Sequence, residues 1–176
     1  MRLGHHVKLN IGCGDDYREG YVNIDGNEAL PRVDKIIDLS KESLLSYFSP
    51  GSVDCILAND VLEHVHHWEA VRWLREFQRL LKPTGVVEIR VPDTEYILCS
   101  SEYPLEKKIT MLYGGQDVPQ GTSQIMDSAR LKHPEYYCHR YGWTQSSITK
   151  ELHRLGFDHV ETERAGMNMV VKAYVN

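Results

Sequence analysis

The sequence has no excess of basic residues: 20 Lys and Arg stand against 25 Asp and Glu, a formal charge of −5. That balance argues against an electrostatic grip on nucleic acid or on an anionic membrane, and it leaves a small charged ligand open. An RNA read by its shape is disfavoured without being excluded. Long hydrophobic runs are missing too. None approaches the roughly 20 residues that cross a bilayer, and the opening Met1-Arg2-Leu3-Gly4-His5-His6 lacks the apolar stretch of a secretory signal. Cysteine is sparse, and Cys13, Cys55, Cys99 and Cys138 make neither a CxxC pair nor a zinc-finger spacing. A disulfide framework is therefore not indicated, and a reduced, cytoplasmic setting is expected.

What is present reads as one domain. A chain of 176 residues, 41% hydrophobic and 26% charged, is large enough to bury a core without staples and short for two. Val7-Lys8-Leu9-Asn10-Ile11 predicts a first strand that opens directly into Gly12-Cys13-Gly14. A second strand over Tyr21 to Ile24 ends on Asp25-Gly26, and a third over Val33 to Ile37 ends on Asp38. Nine residues separate Ile11 from Tyr21, fewer than a helical crossover between parallel strands usually takes, so the first crossover is short. Val53 to Ala58 is almost continuously apolar, as a parallel strand covered on both faces should be, and it stops at Asn59-Asp60.

Ala70, Val71, Leu74, Phe77, Leu80 and Leu81 recur at helical spacing with charged residues between them, and Pro83-Thr84-Gly85 is expected to end that helix. Val86 to Val91 gives a fifth strand. Residues 94–142 lack clear periodicity beyond short helices near Thr94 to Cys99 and Leu105 to Leu112, and are expected to form a lid or substrate-binding insertion in a single domain spanning 1–176. A helix capped by Thr144 and closed by Gly156 follows, then two strands joined around Ala165-Gly166. The expected fold is α/β: a doubly wound, mostly parallel seven-stranded sheet with an antiparallel terminal hairpin. In such sheets ligands sit beyond the carboxyl ends of the strands, where this chain carries Gly12-Cys13-Gly14, Asp25, Asp38, Asn59-Asp60 and Pro92-Asp93.

A glycine turn with an acid on the neighbouring strand can hold a carboxylate or phosphate on its N–H groups and a ribose diol on the carboxylate. A dinucleotide site fits poorly. Its G-x-G-x-x-G fingerprint would need glycine where Tyr17 stands, and its acid about 20 residues on, whereas Asp25 follows Gly14 closely. A ligand without phosphates fits better.

Leu9-Asn10-Ile11-Gly12-Cys13-Gly14, Gly20-Tyr21-Val22-Asn23-Ile24-Asp25, Asn59-Asp60-Val61-Leu62-Glu63-His64-Val65 and Leu80-Leu81-Lys82-Pro83-Thr84-Gly85 occur in that order. Together they resemble the class I S-adenosylmethionine-dependent methyltransferases, and more narrowly small methyltransferases that open on a Leu-Asn-hydrophobic-Gly-Cys-Gly motif. The likeness covers about residues 7–93 and returns more loosely over 139–175. It implies S-adenosylmethionine as cofactor, its methionine end against Gly12, Cys13 and Gly14 and its ribose on Asp25. Asp38 and Leu39 would approach the adenine, and Asn59 would line the methionine side. Asp16 stands where larger relatives carry a third glycine, and their extra N-terminal helix has no counterpart here.

His64 is a candidate for proton transfer or acceptor contact, with an architectural hydrogen bond as the alternative. His139, in His139-Arg140-Tyr141-Gly142-Trp143, is the second candidate. Tyr113-Gly114-Gly115-Gln116 reads either as part of the acceptor pocket or as a plain turn. Asp93 either faces the acceptor or caps a helix. His64, His66 and His67 with Glu63 and Glu69 lack the H-E-x-x-H spacing, so no metal site is expected from them. The function these features imply is methyl transfer to an O or N atom of a small-molecule or sugar-like acceptor. A nucleic-acid or protein acceptor is less favoured, and no membrane partner is expected. The alternative is a noncatalytic protein on the same adenosyl-binding fold.

Overall fold

The computed structural model describes residues 6–116, 128 and 130–176. His5 of the terminal histidine pair and residues 117–127 and 129 of the expected lid lie outside the described residues. The strands are β1 (Lys8–Ile11), β2 (Val22–Asp25), β3 (Lys35–Ile36), β4 (Val53–Asn59), β5 (Leu81–Pro92), β6 (His159–Ala165) and β7 (Asn168–Tyr174). Helices among the described residues include α1 (His67–Leu80), α2 (Thr94–Cys99), α3 (Leu105–Tyr113) and α4 (Gln145–Arg154). One seven-stranded sheet runs in the order β3-β2-β1-β4-β5-β7-β6. β1 to β5 are mutually parallel, and β7 lies antiparallel between β5 and β6. This is the expected mostly parallel sheet with its terminal hairpin. Among the described residues no helix is long and apolar enough to cross a membrane.

Parallel register puts the carboxyl ends of neighbouring strands at one rim. Ile11 pairs with Ile24 and with Ala58, so Gly12, Asp25 and Asn59 leave the sheet side by side. No helix forms between β1 and β2. The loop is held by two asparagines from the sheet: Asn10 Nδ2 donates to Asn23 Oδ1 at 3.0 Å and to the Asp16 carbonyl at 2.7 Å. Asn23 Oδ1 also accepts from Arg18 N at 2.9 Å, and its amide group donates to the Arg18 and Tyr21 carbonyls and to Asp34. Buried polar groups whose hydrogen bonds are met in this way fix one geometry for the chain they contact.

α1 lays Ala70, Val71, Leu74, Phe77 and Leu80 into the core, as its spacing predicts, and also buries Trp73 and Glu76. It ends at Leu80, before the Pro83-Thr84-Gly85 turn. Leu81 is already extended (φ −66°, ψ 139°) and pairs with Val53 of β4, so sheet pairing, not the proline, stops the helix. The third strand is shorter than Val33 to Ile37. Its pairing is continued by the Ile37 N–H donating to the Asp25 carbonyl at 3.0 Å. The Thr144 cap forms as expected, with Thr144 Oγ1 accepting from Ser147 N at 3.1 Å. Gly156, at φ 92°, closes α4, and Phe157 N donates back to the Leu152 carbonyl.

Candidate functional site

A cavity of about 540 Å³ opens at the rim, within the range of small-molecule sites. On the sheet side it is lined by Gly12, Gly14, Asp25, Asp38, Leu39 and Asp60. From the segment expected to be the lid come Gly115, Arg130, Tyr136, Tyr137, His139 and Arg140. His64 also lines it.

The glycine turn is shaped by what surrounds it. Gly12 and Gly14 sit at φ 63° and 53°, the left-handed region where a side chain is penalised. The Asp25 carboxylate ties across to this turn, its Oδ2 accepting from Gly14 N at 2.9 Å and its Oδ1 from Asn27 N at 2.8 Å. Burial pushes the Asp25 carboxyl up from its ordinary range, even though the Gly14, Asn27 and Gly26 N–H groups pull it down. The carboxylate thus gains from any further donor delivered into the cavity. A carboxylate offers about four lone-pair positions, so beside these two bonds and the weaker pull of the Gly26 N–H it can still accept from a ligand hydroxyl.

Asp38 and Leu39 are placed by α1. The Leu39 carbonyl accepts from Trp73 Nε1 at 3.0 Å and from the Arg72 guanidinium. Glu76 Oε2 accepts from Leu44 N at 2.9 Å, which anchors the same segment further along. Burial raises the Asp38 carboxyl, but bonds from Lys41 and Ser40 outweigh it and hold the net value below the ordinary range. At the end of β4, Asp60 has φ 53° and is paired with Arg90 of β5.

Two histidines of the cavity lining, His64 and His139, stand beside a buried acid, Glu63, that does not itself line the cavity. His64 and His139 meet edge to face, with ring centroids 4.8 Å apart. His64 Nδ1 is 3.3 Å from the Cys138 carbonyl, and His139 Nδ1 is 3.0 Å from the Met111 carbonyl. Glu63 is 2% exposed, and its Oε2 has no hydrogen-bond partner. The Glu63 carbonyl accepts from Arg140 N at 2.7 Å, joining the turn at 62–64 to the stretch after Cys138. Burial, and then Asp60, raise the Glu63 carboxyl well above its ordinary range. Burial, and then His139, push the His64 imidazole down to about 3. Burial also lowers His139.

A folding consequence follows for His64. The unfolded chain takes up its proton near the ordinary 6.5 and the folded chain only near 3, so stability present above 6.5 is lost as pH falls towards 3. Relative to His64→Gln, the wild type should lose up to about 1.4 kcal/mol per pH unit below that point. Denaturant unfolding of both proteins between about pH 7 and 4.5 reads this difference, and a flat difference would contradict the buried, neutral ring. Glu63 acts with the opposite sign in both proteins, its raised carboxyl costing stability as pH rises, so it drops out of the comparison.

A family model described as a methyltransferase domain matches residues 9–162, which is most of the chain. The chain belongs to this methyltransferase-domain family. The methyltransferase fold recurs at low identity in solved structures. A SAM-dependent methyltransferase from Archaeoglobus fulgidus is 13% identical with a TM-score of 0.64, over 97% of this chain and 86% of that one. One from Methanosarcina mazei is 16% identical with a TM-score of 0.63, over 98% and 93%. A Burkholderia thailandensis 1,6-didemethyltoxoflavin-N1-methyltransferase, solved with 1,6-didemethyltoxoflavin and S-adenosylhomocysteine, is 17% identical with a TM-score of 0.60, over 98% and 72%. No curated protein matches the sequence.

Of the residues singled out in this methyltransferase sequence, Gly12, Gly14, Asp25, Asp38, Leu39, His64 and His139 share the cavity lining. Cys13 and Asn59 are not among the lining residues. Cys13 is 3% exposed, its thiol pushed up to about 12 by burial and then by Asp25, and Asn59 Oδ1 is buried without a partner. Asp93 caps α2, accepting from Tyr96 N at 3.2 Å. The chain 113–114 packs on 137–139, where His139 N donates to the Tyr113 carbonyl at 3.0 Å. Trp143 is buried against Tyr141, whereas Tyr136 and Tyr137 face the cavity. Sequence reasoning missed Lys41, Trp73 and Arg130 as lining residues, and it missed that Glu63 meets His139. Their positions depend on long-range packing, and no local motif announces them.

Proposed function

We propose that this protein binds S-adenosylmethionine in the rim cavity and catalyses transfer of its methyl group to an oxygen or nitrogen of a small-molecule acceptor. The observation that carries the reading is the pairing of Asp25 with the Gly12–Gly14 turn inside a cavity of about 540 Å³. The cavity suits the cofactor. Asp25 keeps lone pairs for a ribose diol, and its buried carboxylate gains from those two donors. Gly12 and Gly14 bare their backbone to the methionine end. Leu39 offers an apolar face to an adenine beside Asp38, with its carbonyl held by Trp73. When bound, the cofactor supplies an electrophilic methyl group on a sulfonium.

The chain's own contribution is then positioning and the exclusion of water. Residues 94–142 act as the acceptor-binding part of a single domain, because Gly115, Arg130, Tyr136, Tyr137, His139 and Arg140 all reach the cavity from there. His139 and His64 lie at the acceptor end. Both rings are kept neutral by burial, the state in which an imidazole accepts a proton or a hydrogen bond at its free nitrogen. A small acceptor agrees with the net charge of −5. The Burkholderia enzyme of the same fold, named as a 1,6-didemethyltoxoflavin-N1-methyltransferase, was solved with that compound bound. Four free cysteines suit a reducing, cytoplasmic setting.

Calorimetric titration with S-adenosylmethionine, S-adenosylhomocysteine and a nicotinamide dinucleotide tests the assignment. Both adenosyl compounds should bind and the dinucleotide should not. Selective dinucleotide binding would sink the proposal.

A further inference from the structure

The three histidines that cluster in the sequence disperse in the fold. His66 caps α1 and stacks on Trp68, and His67 packs against Tyr141 and Trp143. The fold assembles another set in their place. Glu63, His64 and His139 each offer one ligand atom, and these atoms all lie within 4.8 Å of one another. We propose that Glu63, His64 and His139 form a binding site for one divalent transition-metal cation of the zinc type, at the acceptor end of the cavity.

Three observations carry it. First, Glu63 is 2% exposed with Oε2 unpartnered. A buried carboxyl oxygen without a partner is costly, and a cation is a partner strong enough to justify it. Second, both imidazoles are oriented as ligands usually are. A carbonyl can only accept, so the Cys138 and Met111 carbonyls hold the proton of each ring on Nδ1 and leave the Nε2 lone pair for a metal. Third, the ligands sit on backbone segments tied to one another. The Glu63 carbonyl accepts from Arg140 N at 2.7 Å and Tyr141 N at 3.3 Å, and His139 N donates to the Tyr113 carbonyl at 3.0 Å. Zinc bonds of about 2.0–2.2 Å in tetrahedral geometry need ligand atoms roughly 3.4 Å apart, so closure asks each pair of ligand atoms to approach by at most about 1.4 Å through side-chain rotation.

Two imidazoles and one carboxylate select the class of ion. Such donors favour zinc, iron, nickel or copper over magnesium or calcium, which prefer all-oxygen shells. Any proton carried by the Glu63 carboxyl would leave to solvent as the cation binds. Three protein ligands leave a fourth position, and His64 and His139 both line the cavity into which it would open. There the cation would hold an acceptor hydroxyl and lower its pKa before methylation. That last role rests on the methyl-transfer reading, whereas cation binding does not.

The test is calorimetry of chelator-treated protein with zinc chloride alone, run beside an independent titration with S-adenosylmethionine. One zinc should bind per chain, and Glu63→Gln and His139→Ala should each weaken it about tenfold or more. His159→Ala, on the remote hairpin, should bind zinc as the wild type does. Glu63→Gln keeps the buried volume, and melting curves of both variants verify folding; should one unfold, the other decides. Absence of stoichiometric zinc binding, or equal affinity in the folded variants, would overturn the site. Intact cofactor binding in that event would leave the methyl-transfer reading standing, and zinc binding without cofactor binding would do the reverse.

Discussion

Asp25→Ala is expected to lower the affinity for S-adenosylmethionine and S-adenosylhomocysteine at least about tenfold, to be read by calorimetry on folded protein. Hydrogen bonds to a charged group contribute roughly 1.5–3 kcal/mol each, and a ribose diol would make two. The alanine variant escapes the cost of burying a carboxylate, which raises this group's pKa in the free protein, so the net loss is smaller than the sum of the two bonds. A second effect would add to it: Asp25 Oδ2 is the acceptor for Gly14 N at 2.9 Å, so its loss frees the turn proposed to meet the methionine end. In the wild type the same raised pKa should make cofactor affinity fall on acidification sooner than an ordinary carboxylate would, because the protonated acid loses acceptor capacity. Unchanged affinity in a folded Asp25→Ala protein removes Asp25 from the cofactor site.

Much of this arrangement is legible in the sequence because it depends on local pattern and parallel register. Apolar runs that stop on Gly12, Asp25, Asp38 and Asn59 define strands, and parallel pairing brings their carboxyl ends to a single edge. What escapes sequence reasoning depends on partners far along the chain. Leu80 rather than Leu81 ends α1 because Leu81 is claimed by Val53. Asn10 and Asn23 stand in apolar strands with no local signal of their purpose, yet their amides replace a crossover helix by holding the loop between β1 and β2. Glu63 sits one residue from His64, and the motif suggests an interest in both. Only the return of the chain through Arg140 and Tyr141, bonded to the Glu63 carbonyl, shows that His139 completes the group.

Gly12→Ala should be strongly damaging to the turn at the rim. Gly12 has φ 63°, and a β carbon there would lie 2.5 Å from Val61 Cγ2 and 2.9 Å from Val61 Cβ. The left-handed backbone costs a non-glycine residue roughly 1–2 kcal/mol, and forcing a methyl group into packed side chain costs a further 1–3 kcal/mol or so. Stability should fall by about 2–5 kcal/mol, read by denaturant unfolding. Because the turn must move to relieve the contact, cofactor affinity should fall with it. Val61→Gly in the same chain separates the two causes. It removes the colliding atoms and leaves the backbone penalty, so the double variant should recover the packing part of the loss relative to Val61→Gly alone. Full additivity of the two substitutions would show that Val61 does not shape the turn. Recovery would show that the loop after β4 sets the conformation of the turn after β1, which is how two motifs far apart in sequence come to build one edge of the cavity.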